Sequence, residues 1–260
     1  MNLQRIKIEN LSLGYGNSVN TQHEIFPPFS VTADNAQFIA LAGRNGVGKS
    51  TFLRTLAGLQ NIFSGNIFIN EKAVKTLSRK DYANLMSFVS TEMVRVMHLK
   101  VFDLVAMGRY TYTNLFGNLS INDEKIILDS LKMVGMSDFI WRNVSELSDG
   151  ERQRTMIARA LVQDTPIMIL DEPTAFLDIP NKYEIILLLK NLTRQKSKTV
   201  IFSTHDINIA LQLADKIWLM TNRKMYEGTP SQLIQTNAFD EMLDNTALKM
   251  ENGEIKFKEL

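Results

Sequence analysis

The stretch Gly43-Arg44-Asn45-Gly46-Val47-Gly48-Lys49-Ser50-Thr51 leaves few choices for the fold around it. It comes after an apolar, strand-like segment at 38–42 and opens a helix-like segment at 50–59. Strand, glycine-rich turn and helix in that order begin a β-α-β unit, which calls for a parallel sheet covered on both faces. The spacing is that of a phosphate-binding loop. Glycine lets backbone N–H groups turn inward with no Cβ in the way, and the helix start adds the positive end of its dipole. Lys49 would set a point charge against the β- and γ-phosphates, and the Ser50 hydroxyl is a hard ligand for Mg²⁺. Gly43, Asn45, Gly46, Gly48, Lys49, Ser50 and Thr51 are thus the expected nucleotide contacts. The bland alternative is a glycine-rich turn before a helix, and an acidic partner elsewhere in the chain decides between the two.

After Pro166 an apolar run, 167–170, ends in Asp171-Glu172. Carboxylates at the carboxyl end of a buried parallel strand sit where such sheets bind ligands. Asp171 would hold Mg²⁺ through water, and Glu172 is the candidate general base or water-orienting group. Two solvated acids capping a strand are common in isolation; beside a phosphate loop that becomes the minority reading.

The remaining chain repeats the β-α-β rhythm. A helix at 181–196, a strand at 199–203 and a helix at 207–214 come next, then a hairpin whose arms, 217–220 and 224–227, flank Asn222. Gly58 and Ser64-Gly65 are expected to close the helix at 50–59, with a strand at 66–70. Residues 1–15 alternate apolar and polar, as a strand or hairpin arm does. Asn252-Gly253 signals a hairpin within 248–258. Between 101 and 163 apolar residues fall at helical spacing (Ile126, Ile127, Leu131, Val134), and this reads as a helical insertion. The fold class is therefore α/β: a P-loop NTPase core with a mainly parallel sheet, an N-terminal antiparallel β part and a helical subdomain. The core spans 1–90 and 165–260, the helical subdomain 91–164.

Composition narrows the partners. Lys and Arg number 29 against 28 Asp and Glu, a net charge of +1, so no charge excess points to nucleic acid or anionic lipid. Cysteine is absent, which removes disulfides, thiolate metal sites and a cysteine nucleophile, and permits a reducing cytosol. No apolar run approaches the ~20 residues of a bilayer span. If the chain works at a membrane, it docks on something that crosses it.

Leu147-Ser148-Asp149-Gly150-Glu151-Arg152-Gln153-Arg154 resembles the signature motif of ATP-binding cassette (ABC) proteins, usually Leu-Ser-Gly-Gly-Gln. Here Asp149 replaces the first glycine and Glu151 the glutamine. Physically the motif is a helix start, with Ser148 and Asp149 able to cap it. Ser148 lies 23 residues before Asp171, with a helix at 151–162 between them, as in that family. Thr174-Ala175-Phe176-Leu177-Asp178 resembles the family's D-loop, and Ser203-Thr204-His205-Asp206 its switch region. The resemblance spans 15–239. It implies ATP and Mg²⁺ as cofactors, His205 at the γ-phosphate, and Tyr15 stacked on adenine; for Tyr15 a packed strand-end aromatic is the other reading. It also implies a head-to-tail dimer. Each ATP would touch the phosphate loop of one subunit and Ser148 and Gly150 of the other, with Asp178 beside them.

One position departs from the family. A glutamine that senses the metal is expected at the end of the strand leading into the helical part, where this chain reads Ser87-Phe88-Val89-Ser90-Thr91-Glu92. Thr91 takes that place and is the expected metal contact through water, with Glu92 as the alternative, so a weaker link from this loop to the metal is expected.

Asp103-Leu104-Val105-Ala106-Met107-Gly108-Arg109-Tyr110 resembles subunits that power import of iron–siderophore, haem or cobalamin, and Gly228-Thr229-Pro230 fits the same group. That resemblance implies an ATPase peripheral to the cytoplasmic face of the plasma (inner) membrane. It would dock on a polytopic permease through residues 94–107, for which plain core of the helical subdomain is the other reading, and never touch the cargo. The alternatives are an ABC ATPase of another transporter class and a soluble, non-transport ABC ATPase.

Overall fold

The computed structural model describes residues 4–15, 23–91, 98–112, 118–222, 224–244, 246, 248–251 and 254–258. The alternating N-terminal segment is strand β1 (Gln4–Tyr15), paired antiparallel with β2 (His23–Asp34). Ile6, Ile8, Leu11 and Leu13 point into the core from β1, and Phe26, Phe29 and Val31 from β2. Between the pairs Leu11–Phe29 and Leu13–Phe26 the register shifts by one residue at Pro27-Pro28. A strand holding two prolines cannot donate a full ladder, and β2 is accordingly an edge strand.

The loop-bearing unit is as expected in kind. Strand β3 (Phe38–Gly43) is buried along its whole length and leads to helix α1 (Lys49–Leu56). Gly58, at φ 70°, stops that helix earlier than the expected 59. Ser64-Gly65 does not close it. The pair instead begins strand β4 (Ser64–Ile69), which joins β1 on the side away from β2. Gly65, at φ 84°, lies where a Cβ would stand 2.2 Å from the Asn10 carbonyl oxygen, so the β1 bulge at Asn10 admits only glycine opposite it. The two-residue β5 (Lys72–Ala73) completes this sheet, and a short helix α2 (Arg79–Ala83) comes after it.

Strand β6 (Met86–Val89) then enters the main sheet. Before the chain returns to that sheet it forms α3 (Val101–Ala106), a 3₁₀ segment (Met107–Tyr112), α4 (Ile121–Met133) and α5 (Asp149–Leu161). Ile127, Leu131 and Val134 are the buried stripe of α4, and Ser120 with Asp123 forms its capping box. The sheet continues with β7 (Ile167–Leu170). Helix α6 (Ile179–Gln195) connects β7 to β8 (Thr199–Thr204), and α7 (Ile207–Leu213) connects β8 to β9 (Lys216–Met220). Strand β10 (Met225–Gly228) turns back on β9 as the expected hairpin arm. The order is β10-β9-β3-β8-β7-β6, parallel except for β10. Helices α8 (Pro230–Gln235) and α9 (Ala238–Leu243) come next, then a hairpin of β11 (Leu248–Glu251) and β12 (Glu254–Phe257). Its turn, Asn252-Gly253, lies outside the described residues, as do Glu92 and part of 94–107.

Period-two alternation splits the sheet between two cores. Phe38, Ala40, Ala42 and Phe202 face the helices α5, α6 and α7, while Ile39, Leu41, Ile201 and Trp218 face α1 and the antiparallel sheet. Among the described residues no helix is long and apolar enough to cross a membrane. Trp218, fully buried and 5.7 Å from the Phe52 ring, ties β9 to α1. Replacing it by alanine should cost about 3–5 kcal/mol of unfolding free energy, read by urea denaturation, because the cavity left between sheet and helix cannot collapse.

Candidate functional site

The loop between β3 and α1 wraps around its own lysine. Lys49 is 4% exposed, and its Nζ donates to the carbonyl oxygens of Gly43 at 2.9 Å and Arg44 at 3.0 Å. Burial lowers its pKa below the ordinary 10.5, against the raising pull of Glu172 and then Asp171. Gly48 caps the helix at φ 111°, and Gly46 turns the loop at φ 81° with open space where a Cβ would be. Gly43 packs from below, where a Cβ would meet the Met220 carbonyl at 2.5 Å. Asn45 and Gly46 stand exposed at the tip, so the loop's outer rim is free to receive an anion.

At the end of β7, Asp171 is 2% exposed. Its Oδ1 accepts the Ser50 hydroxyl at 3.0 Å and the Ser203 hydroxyl at 2.7 Å. Ser203 in turn accepts the Glu172 N–H at 2.7 Å. Glu172 has φ 44°, a left-handed conformation that a non-glycine residue holds only when its surroundings force it. That conformation brings its carboxylate to 3.8 Å from Lys49 Nζ and 3.9 Å from His205 Nδ1. His205 is half-exposed at the head of the β8–α7 connection. Ser50 and Asp171 present hard oxygen donors close together, a set that suits Mg²⁺.

The residues expected from sequence thus fall into two groups. Lys49, Ser50, Asp171, Glu172 and His205 converge. Tyr15 joins them through its hydroxyl, 3.2 Å from Thr51 Oγ1, while its ring stays 54% exposed. Thr91 comes after β6, whose Val89 carbonyl accepts the Asp171 N–H at 2.9 Å. The second group is separate. Ser148 caps α5, with its N–H and hydroxyl donating to Glu151 at 2.7 and 2.8 Å. Asp178 caps α6 through Asn181, whose amide oxygen lies 3.6 Å from where a Gly150 Cβ would be. Ser203 has no role in the sequence reading beyond membership of a motif. Its place at the end of a strand next to the one bearing Asp171 is the available signal.

A phosphate loop wrapped around a buried lysine and joined to an acid-tipped strand, with a capped signature-like helix apart from both, defines an ATP-binding cassette. The chain belongs to the ABC transporter family, whose model matches residues 26–175, and is an ABC ATPase. It is 40% identical, over 92% of its length and 81% of the relative's, to an uncharacterized ABC transporter ATP-binding protein of Methanocaldococcus jannaschii. It is 33% identical to the iron(3+)-hydroxamate import ATP-binding protein FhuC of Bacillus subtilis, over 89% of this chain and 85% of that protein. Among solved structures, the dimeric bacterial ABC transporter cassette MJ0796 superposes with a TM-score of 0.75. That match has 27% identity and covers 86% of this chain and 98% of that one.

The low pKa of Lys49 gives a test that needs no nucleotide. The unfolded chain binds this proton more tightly than the folded one, so folded stability climbs as pH rises toward the ordinary 10.5. A Lys49→Met chain lacks that climb. The unfolding free energy of the parent relative to Lys49→Met should therefore increase with pH above neutrality, and a difference independent of pH would mean that Lys49 titrates normally.

Proposed function

We propose that this chain is the ATP-hydrolysing subunit of an importer for an iron chelate, working as a head-to-tail pair on the cytoplasmic side of a membrane permease. The observation that carries the reading is the contact of Lys49, Glu172 and His205 around one point above the phosphate loop. A cation, a carboxylate held in a forced conformation and an imidazole meet there within 4 Å of Glu172. The iron-chelate assignment is supported by the name of the Bacillus subtilis relative, and the pair by the dimeric solved cassette.

Lys49 offsets the phosphate charge once it exchanges its carbonyl partners for phosphate oxygens. Ser50 and Asp171 would hold Mg²⁺, with Thr91 as the further contact. That cation, when bound, neutralises charge building on the phosphates. Glu172 orients the attacking water and takes its proton, and His205 contacts the γ-phosphate. Ser203 keeps Asp171 and the Glu172 backbone in fixed relation. Ser148 and Gly150, with Asp178 beside them, complete the site on the partner copy, and residues 91–164 move as one helical unit when the pair closes.

The permease has a place to bind. A cleft of about 1280 Å³ opens beside α1 and α2, lined by Tyr82, Phe88, Met107 and Tyr110 among others. We assign it to a helix of the permease, which enters by its apolar face.

Glu172→Gln should retain ATP binding and lose turnover by about 100-fold or more, measured as steady-state phosphate release beside nucleotide affinity. Lys49→Ala should lose affinity itself. Normal turnover in Glu172→Gln would remove that residue from the base role. The chain should also co-purify with a polytopic membrane protein when expressed in its native context; recovery with soluble partners alone would remove the transport reading.

A further inference from the structure

The cleft assigned to the permease lies between the carboxyl ends of two helices whose amino ends carry the proposed ATP contacts. On one wall the Tyr82 hydroxyl donates to the Leu56 carbonyl at 2.5 Å, at the end of α1, which starts at Lys49. The opposite wall, Met107–Tyr112, is fastened to the end of α5. A Cβ on Gly108 would stand 2.4 Å from the Arg159 carbonyl oxygen, so only glycine lets the segment lie this close.

Arg109 is 5% exposed and makes the attachment. Its Nη1 donates to the carbonyl of Val162, the C-cap of α5, at 2.9 Å. Its Nε and Nη2 both reach Asp123 Oδ1, at 2.8 and 2.7 Å. The Tyr112 ring covers the guanidinium at 3.8 Å, and the Tyr112 hydroxyl donates to the Gln163 carbonyl at 3.0 Å. A cation at the end of α5 also complements its dipole. From this joint α5 runs about 20 Å as a rigid rod. At its far end stand Ser148 and Gly150.

We propose that Arg109 is a positioning residue: with Tyr112 it forms the joint through which an occupant of the cleft sets where Ser148 and Gly150 stand, and so the rate of ATP hydrolysis. The proposal rests on the reading of Ser148 and Gly150 as the partner's half of the site. It concerns a distant contact that the chemistry does not use.

Ala83 is exposed and lines the same cleft as Met107, Gly108 and Tyr110, and the chain has no cysteine. In Ala83→Cys a bulky maleimide therefore reacts at one place and fills the cleft. Labelling should change the hydrolysis rate by about fivefold or more in that chain. The change should shrink to less than about twofold, below the usual range of such couplings, when Arg109→Lys or Tyr112→Phe is added. Arg109→Lys keeps the charge but loses the fork. Tyr112→Phe removes one hydroxyl from a half-exposed ring and leaves the ion pair intact, so folding is not at stake. A merely structural role would lower labelled and unlabelled rates together and leave their ratio unmoved. The joint is overturned by an equal label response in all three chains, or by none in Ala83→Cys. Failure of the underlying reading looks different: Ser148→Arg would then hydrolyse ATP at the parent rate. A rate that depends on Ser148 together with a label response that ignores Arg109 overturns the joint alone.

Discussion

A lysine ammonium taken out of water governs how the phosphate loop is built. Lys49 cannot be buried unpaired, and the loop meets its demand with two of its own carbonyls and a carboxylate at the edge of contact. Those partners hold the loop curled around the ammonium, with Arg44, Asn45 and Gly46 exposed at its rim. The lowered pKa is the residual cost of this arrangement. Nucleotide phosphate is a better partner for the ammonium than neutral carbonyls, so the free loop is held in a form whose main imperfection a phosphate relieves.

The sheet supplies the rest of the geometry through register. Leu170 pairs with Phe202, so Asp171, the first residue past β7, comes level with Ser203 near the end of β8, which pairs in turn with Leu41 of β3. Asp171 and Ser203 are neighbours for that reason, and the β3 end delivers the loop beside them. From β3 the chain goes to the far edge at β6 and returns through β7 and β8 to β9 on the other side of β3, so the loop after β3 opens where the connections leave in opposite directions. A one-residue slip between β7 and β8 would move the serine hydroxyl to the opposite face.

Much of this is legible in the sequence, for physical reasons that also mark where legibility stops. Segments 167–170 and 217–220 read correctly because a buried parallel strand is a continuous apolar run. The loop residues are readable because phosphate binding demands glycine at fixed positions. Strand β2 is hidden: two prolines mask a strand that owes its existence to pairing with β1. Ser64-Gly65 reads as a helix end because a glycine that ends a helix and one that faces a bulge look alike in sequence. Ser203 and the Arg109–Asp123 pair depend on which elements become neighbours, and no local pattern encodes that. The forced backbone of Glu172 belongs to the same class, a local violation tolerated because the site around it requires it.

The edge of the antiparallel sheet carries one last implication. Pro27-Pro28 breaks the row of donors on β2, the Thr32 N–H is claimed by the Glu227 carboxylate at 3.1 Å, and the far edge, β5, is two residues long. An incoming strand therefore finds no template on either side. In the head-to-tail pair proposed above, the two copies are thus kept from joining by strand addition at this sheet.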